Sequence, residues 1–488
     1  MNSNLTSSHK ILFANTLAFT ICFACWTING VLVTYLVDND LFNWTVVETG
    51  WLLGIPILSG SLMRLPIGLL TDKFGGQKVF SVLLILCSIP LFLLYYVNSY
   101  WMYFFLSILF GMVGTSFAVG IAFTSIWYPK EWQGRALGIF GMGNAGAAIT
   151  TLLAPSLLNY LSINNPENGW RMLPVIYAIV LLIIGLVYLF FIENKKPNLQ
   201  EKSIGDLLLP LKKIRVWRFG LYYFLVFGLF VAFSQWLLPY YVNVYKTSLV
   251  LGGFLSSAFS LPSGVIRAFG GYLSDKFGAR KVMYAVLYSS LILSGLLMLP
   301  KMDIVTPGKG ITAKRNGTIT HVTDKKITLN QDELAVVEKP NIAEEISIFP
   351  TSYTWQEILV KQNQQVKKKE LLAKGNTLIK FDAHITVFSI LVILIGIMWG
   401  IGKAAVYKHI PEYFPNEVGV VGGMVGLIGG LGGFIGPILF GYLLDYSGLW
   451  TSSWIFVFLI SAGSLYWMNQ AIKKMTNKEI PHLKDKIE

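Results

Sequence analysis

The chain has 488 residues, of which 54% are hydrophobic, 14% aromatic and only 13% charged, with a mean hydropathy of +0.58. Those values exclude an ordinary water-soluble domain and point to a bilayer. The net charge of +13 is spread through loops and tails rather than gathered on one soluble face, so it does not indicate a nucleic-acid partner.

Apolar runs long enough to cross roughly 30 Å of hydrocarbon recur along the chain. Spans are predicted near 11–37, 48–70, 79–97, 100–126, 135–159 and 171–192, then near 217–243, 250–273, 281–299, 382–407, 418–443 and 451–472. At these lengths only helices satisfy the backbone inside lipid. The expectation is an all-α membrane protein of twelve helices in two pseudo-symmetric halves. Residues 1–193 form the N-terminal half, 194–216 a charged linker, 217–299 and 382–475 the C-terminal half, and 476–488 a tail. The first run is too long for a signal peptide and lacks a small-residue cleavage site, so it reads as the first span. Cys22, Cys25 and Cys87 fall inside spans and are expected as free buried thiols. Lys73, Lys78, Lys130, Arg135, Lys276, Arg280, Lys281 and the basic linker share one side, whereas Asp38, Asp40, Glu48, Glu167 and Asp445 occupy the other. The positive-inside rule then places both termini and the linker in the cytoplasm.

Residues 300–381 break the pattern. Between spans 9 and 10, residues 301–380 carry 13 Lys/Arg and 9 Asp/Glu. Alternating runs (GTITHVTDKKITL, NTLIKF) and turn signals (TPGKG, RNGT) predict a small β-rich periplasmic insert. The segment VKQNQQVKKKELLAKG loosely resembles the returning half of a lipoyl/biotinyl-type barrel sandwich, but lacks that family's modification lysine between hydrophobic flanks.

One string occurs twice, 203 residues apart: RLPIGLLTDKFGGQKV at 64–79 and RAFGGYLSDKFGARKV at 267–282. Duplication at half the chain length is a mark of secondary transporter folds. Asp72 with Lys73, and Asp275 with Lys276, fall at helix boundaries where their charges can form a gate that breaks and reforms. Arg64 lies eight residues before Asp72, roughly 12 Å along a helix, close to the midplane of a hydrocarbon layer about 30 Å thick. Arg267 repeats this placement. Arginine does not readily shed its proton, and no Asp or Glu lies at similar depth in the spans. Two unpaired cations facing one cavity call for an anion. Two glycine-rich spans make that cavity small. Span 5 carries Gly134, Gly138, Gly141, Gly143 and Gly146 around Asn144, a polar exception that can donate to an oxyanion. Span 11 carries Gly422, Gly423, Gly426, Gly429, Gly430, Gly432, Gly433 and Gly436.

The repeated G-x-x-x-D-K-F-G resembles the signature loop of the major facilitator superfamily. The G-x-G-N-x-G of span 5, the glycine run of span 11, SGSLMRLPIGLLTDKFGG and SLPSGVIRAFGGYLSDKFG resemble the nitrate/nitrite porter (NarK/NasA-like) family within it, as do FTICFACW (19–26) and GIGKAAVYKHIPEYFP (400–415). The resemblance covers nearly all the spans but not 300–381. It implies the major facilitator fold and a bacterial inner-membrane location. It also implies an arginine clamp of Arg64 and Arg267 on a planar anion, sandwiching aromatics at Phe117, Tyr223 and Phe227, and a ligand role for Asn144. Nitrate suits such a site, because a guanidinium fork can hold two of its oxygens in plane.

Lys403 departs from the family, which usually has Asn in a GNG-like string there. It reads as a third cation, a proton-coupling group or a snorkelling side chain. The span-11 run also lacks an Asn. The spans hold no titratable carboxylate at depth, and His384 and His409 fall near helix ends. The expected activity is proton-coupled uptake of nitrate or nitrite by a monomer, with nitrate/nitrite exchange close behind. A carrier of a larger anion and a membrane receptor acting through 300–381 stay open. No metal-spaced His/Cys set, phosphate loop or nucleophile elbow is present, so no enzyme, metal or cofactor is expected.

Overall fold

The computed structural model describes residues 2–196, 209–341, 349–414 and 418–478. Most of the predicted linker and tail, and Pro415 of the span-10 string, therefore lie outside the described residues. Among the described residues, eleven helices are long and apolar enough to cross a membrane, and the bent pair Leu249–Val265 with Arg267–Phe277 makes twelve. They fall within a few residues of the predicted spans. Cys22, Cys25 and Cys87 are free and buried.

The duplication extends to the helix ends. The hydroxyl of Thr45 accepts from the backbone N–H of Glu48 at 3.2 Å to start span 2, and the hydroxyl of Ser248 accepts from Leu251 at 3.2 Å to start span 8. Glu48 returns a bond to the Thr45 N–H at 2.8 Å, completing a capping box. After span 2, Gly75 turns the chain at φ 91°, and after span 8 Gly278 does so at φ 84°. A side chain at either position would be strained, which is why both DKFG strings end in glycine.

Six of these spans are not continuous α-helices. Span 1 breaks after Trp26 and resumes at Asn29. Span 2 breaks at Met63 between Val46–Leu62 and Arg64–Phe74, and span 8 bends by 44° between Val265 and Arg267. Spans 4 and 5 tighten to 3₁₀ geometry over Met112–Thr115 and Met142–Ala145, and span 7 widens to a π-helix over Phe224–Gly228. Such interruptions often mark functional positions in helices.

Residues 297–388 form a separate compact unit. Among its described residues are seven strands in two antiparallel sheets, ordered β1-β7-β5 and β4-β3-β2-β6. They are β1 Met302–Thr312, β2 Gly317–Thr323, β3 Lys326–Leu329, β4 Asp332–Ala335, β5 Thr351–Ile358, β6 Gln365–Val366 and β7 Leu371–Phe381. Its core includes Ile319, Ile327, Leu329, Val366 and Leu372. One predicted turn is wrong. TPGKG lies inside β1, where the register shifts between Gly308 and Ile311. The glycines serve close backbone approach there, since a Cβ on Gly375 of β7 would overlap the backbone of Gly308 and Lys309. VKQNQQVKKKELLAKG does return, supplying β6 against β2 and the first part of β7 against β1.

Candidate functional site

Arg64 and Arg267 each begin the second segment of a broken span, and both are buried. Pro66 falls in the first turn of the Arg64 segment, where its missing N–H breaks no helical bond. The Arg64 guanidinium carbon lies 5.5 Å from the ring centre of Trp26, 5.4 Å from Phe117 and 5.6 Å from Phe227. Three spans thus supply aromatic faces to one cation, each contributing about 0.5–2 kcal/mol when desolvated. The Arg267 guanidinium carbon lies 5.8 Å from the same Phe117 ring and 5.6 Å from Tyr407. Phe117 therefore joins the two arginines.

The aromatic set is ordered. Tyr223 stacks on Phe227 at 4.9 Å and 10°, and meets Tyr407 edge-on at 5.0 Å. Phe117 and Phe227 are nearly parallel, 24° apart, with centres separated by 6.4 Å. Donors remain unspent among them. Arg64 Nη1 donates to the Gly426 carbonyl at 2.8 Å, but Nε and Nη2 have no partner. Arg267 Nη1, Ser61 Oγ and both amide atoms of Asn144 are also buried without a partner. Buried donors are nearly always satisfied, so the unspent donors of the two arginines make their surroundings the candidate ligand site. Among the described residues no carboxylate pairs with Arg64, Arg267 or Lys403.

The glycine-rich spans divide their labour. Gly426 and Gly430 face Arg64, and a Cβ on Gly426 would come within 3.1 Å of the Tyr407 hydroxyl. Gly141 faces Arg267, whose Nη1 would lie 3.2 Å from such a Cβ. The others pack helices. Gly143 and Gly146 lie against Phe19 and Thr20 of span 1, and Gly429, Gly432 and Gly433 against Tyr223, Gly228 and Val231 of span 7. Gly138 meets nothing within 4 Å. Asn144 occupies the 3₁₀ turn between Gly143 and Ala145, which Gly264 of span 8 approaches. The structure records no direct contact between Asn144 and either arginine.

On one side of the arginines the backbones of the two halves approach closely. Away from the DKFG turns, a Cβ on Gly54 of span 2 would lie 2.6 Å from the Phe434 carbonyl of span 11. A Cβ on Gly253 of span 8 would overlap the Thr151 carbonyl of span 5. Toward the DKFG turns, a Cβ on Gly68, Gly138, Gly271 or Gly423 meets nothing within 4 Å. The glycine-to-backbone contacts between the halves thus lie away from the DKFG turns. On the DKFG side Lys408 pairs with Asp275 at 2.6 Å, while Asp72 has no ion pair among the described residues.

Lys403 is fully buried. Its Nζ donates to Ser263 Oγ at 3.1 Å and lies 3.1 Å from the ring centre of Phe230. It neither snorkels nor pairs with an acid. Trp26, Tyr407 and Ser61 are the site residues that the sequence alone left unassigned. All three lie within strings that resembled the family, but nothing in the spacing marked them out from packing residues.

A family model described as Major Facilitator Superfamily matches residues 15–309. A probable nitrate/nitrite antiporter, NarK1, of Thermus thermophilus is 38% identical over 98% of this chain and 95% of its own length. The chain belongs to the major facilitator superfamily, in its NarK-like nitrate/nitrite porter branch. A probable nitrate transporter, NarT, of Staphylococcus aureus (strain JH9) is 25% identical over 95% of this chain and 96% of its own. A crystal structure of a bacterial homologue of the human lysosomal transporter Spinster, inward-facing and occupied, superposes with a TM-score of 0.63 at 14% identity. It covers 95% of this chain and 97% of that one. At that identity the likeness concerns the fold alone. Major facilitators are integral membrane transporters rather than enzymes, which fits the spans and the broken helices around a central cation pair.

Proposed function

We propose that the protein carries nitrate, nitrite or both across the bacterial inner membrane by alternating access, with Arg64 and Arg267 clamping the anion. The observation that carries this reading is the pair of buried, carboxylate-free arginines joined by the Phe117 ring. A planar anion between Phe117 and Phe227 needs about 7 Å between ring planes, two carbon contact distances of about 3.5 Å. Their ring centres are 6.4 Å apart, so the planes stand no farther apart than that and must part slightly to admit the anion. The unspent donors of Arg64, Arg267 and Asn144 suit three oxygens around one centre. A bulky organophosphate or carboxylate would need room that Gly426, Gly430 and Gly141 supply only by lacking side chains. The names borne by the Thermus and Staphylococcus relatives support the same anion class.

In this reading the DKFG side faces the cytoplasm, both termini are cytoplasmic and the chain acts as a monomer. The contacts of Gly54 and Gly253 form the outer seal, and Asp72, Lys73, Asp275 and Lys276 belong to the inner gate. Uptake is coupled to protons through Lys403, a buried titratable group with no acid beside it among the described residues. Exchange of nitrate for nitrite is the second reading. It is favoured by the lack of a carboxylate near the site among the described residues and by the antiporter name of the Thermus relative.

Purified protein in liposomes loaded with nitrite, sulfate, phosphate or buffer tests all of this together. Nitrate entry into buffer-loaded vesicles driven by an inward proton gradient is expected. Entry only into nitrite-loaded vesicles would establish exchange, and no nitrate entry under any condition would remove the reading.

A further inference from the structure

A second cluster of unspent donors lies away from the arginine pair, at the end of the helical unit that carries the second DKFG turn. Arg218 and Tyr222 of span 7, Arg280 of span 9 and His409 and Tyr413 of span 10 line a pocket there, closed by Met468 of span 12. Its cavity volume is about 30 Å³, so only a small group seats within it and the rest of a ligand lies at the open mouth.

The lining is built rather than incidental. Tyr222 is 2% exposed and its hydroxyl has no partner. His409 is 5% exposed, stacks on Phe219 at 5.4 Å and 5°, and leaves Nδ1 without a hydrogen bond. Arg218 has no ion pair among the described residues, and Arg280 reaches only the Tyr413 hydroxyl, at 3.3 Å. The nearest carboxylate, Glu412, comes no closer than 3.7 Å to His409 Nδ1. Two guanidiniums, a phenol and an imidazole therefore converge, and among the described residues the one carboxylate recorded against them is Glu412, on the imidazole and not on either arginine.

The internal duplication sharpens this. The 203-residue offset pairs Arg280 with Gln77. Gln77 is buried and donates to the span-6 carbonyls of Tyr188 and Leu189 at 2.9 and 3.1 Å. In the first half that wedge is closed by protein. In the second half a longer, charged side chain replaces the amide and the wedge stays open. Level with the pocket, Trp217 is 47% exposed and Ile214 65% exposed, an aromatic and an aliphatic side chain facing outward at a helix end. Tryptophan at such a position marks headgroup depth.

We propose that this pocket is a second oxyanion site, separate from the transport site, which takes a phosphate group at headgroup level. Arg218 and Arg280 supply charge-assisted bonds, and Tyr222 with His409 supplies oriented polar contacts. The phosphate can belong to an acidic phospholipid or be free in solution, and the test separates the two.

The full chain is placed in phosphatidylcholine nanodiscs with rising fractions of phosphatidylglycerol, or in lipid-free detergent with inorganic phosphate, and Tm is followed. Wild type is expected to gain Tm with phosphatidylglycerol. The Arg218→Gln/Arg280→Gln variant is expected to need roughly tenfold more, the loss of one charge-assisted bond or more. Tyr222→Phe, which keeps the shape and removes the hydroxyl, is expected to show a smaller shift of the same kind. A variant-sensitive response to inorganic phosphate but not to the lipid sustains the site with a soluble ligand. Wild type unmoved by either, or variants responding as wild type does, would overturn the proposal. If the double variant aggregates, Tyr222→Phe decides alone. The readout needs no transport activity, so its outcome is independent of the substrate.

Discussion

Arg64 in span 2 donates through Nη1 to the carbonyl of Gly426 in span 11, 2.8 Å away across the two halves of the protein. A neutral carbonyl thus satisfies one donor of a fork whose Nε and Nη2 remain unspent. In the proposed cycle the carbonyl holds the place of an anion oxygen until substrate arrives. The planar fork is what allows one side chain to keep the Gly426 bond while presenting two more donors in plane. Arg64→Lys and Arg267→Lys are each expected to cut nitrate uptake by at least about tenfold, because an ammonium keeps the charge but loses the bidentate geometry. Uptake at wild-type rate by either variant in liposomes would dismiss the clamp.

Phe117 lies against both guanidiniums, so its loss should be felt by both. Phe117→Ala removes two cation–π contacts, each about 0.5–2 kcal/mol, together with one wall of the anion slot. An increase of about tenfold in the half-saturating nitrate concentration is expected on that scale, with Phe117→Tyr much milder. Equal effects of the alanine and tyrosine variants would argue for packing alone.

Much of this was legible in the sequence. Hydropathy gave the spans, because lipid imposes a minimum apolar length. The repeat singled out the two arginines, which the structure places against one Phe117 ring. The breaks were not legible. Nothing in the composition of 224–228 announces a π-helix, and that segment contributes Phe227 to the cation box. Trp26 and Tyr407 were hidden for a related reason. An aromatic facing a cation and one facing a leucine have the same sequence signal, and only tertiary geometry tells them apart. The TPGKG misreading has a local cause, since glycines that admit a neighbouring strand look like glycines that make a turn.

The seal away from the DKFG turns rests on missing side chains. Gly54→Leu would drive a branched chain into the Phe434 backbone, and Gly253→Leu into Thr151. Overpacking of this kind costs about 1–3 kcal/mol, enough to lower turnover about tenfold or more by disfavouring the closed state. Gly143→Leu should also impair transport, by parting spans 5 and 1 at Phe19. Normal counterflow by folded Gly54→Leu protein would show that the seal tolerates bulk.

The insert should be dispensable for anion movement. Its first and last strands pair directly, Met302 opposite Phe381, so its ends are already adjacent. It also has its own buried core, with Ile319 and Ile327 fully buried. Replacing 302–381 by a short flexible linker is expected to leave uptake in liposomes within about twofold of wild type, since long surface excursions are cheap to shorten. Abolished uptake in well-folded protein would favour the receptor reading instead.

Lys403 offers the sharpest test of coupling. Its ammonium has three donors, yet Ser263 takes one and the Phe230 face offers no acceptor lone pair. Arg267, on span 8, is a like charge that acts on it. An anion bound between the arginines would offset that repulsion and help Lys403 hold a proton, and the two would cross together. Uptake should then quicken as the outside is acidified and slow as the inside is acidified. Lys403→Met keeps the length and removes the proton. It is expected to abolish the dependence of uptake on the pH gradient while leaving nitrate–nitrite counterflow at a rate comparable with wild type. Lys403→Arg, which does not readily release a proton, should also lose the gradient response and would slow the return of the empty carrier. A Lys403→Met protein that still concentrates nitrate in response to a proton gradient would remove Lys403 from coupling.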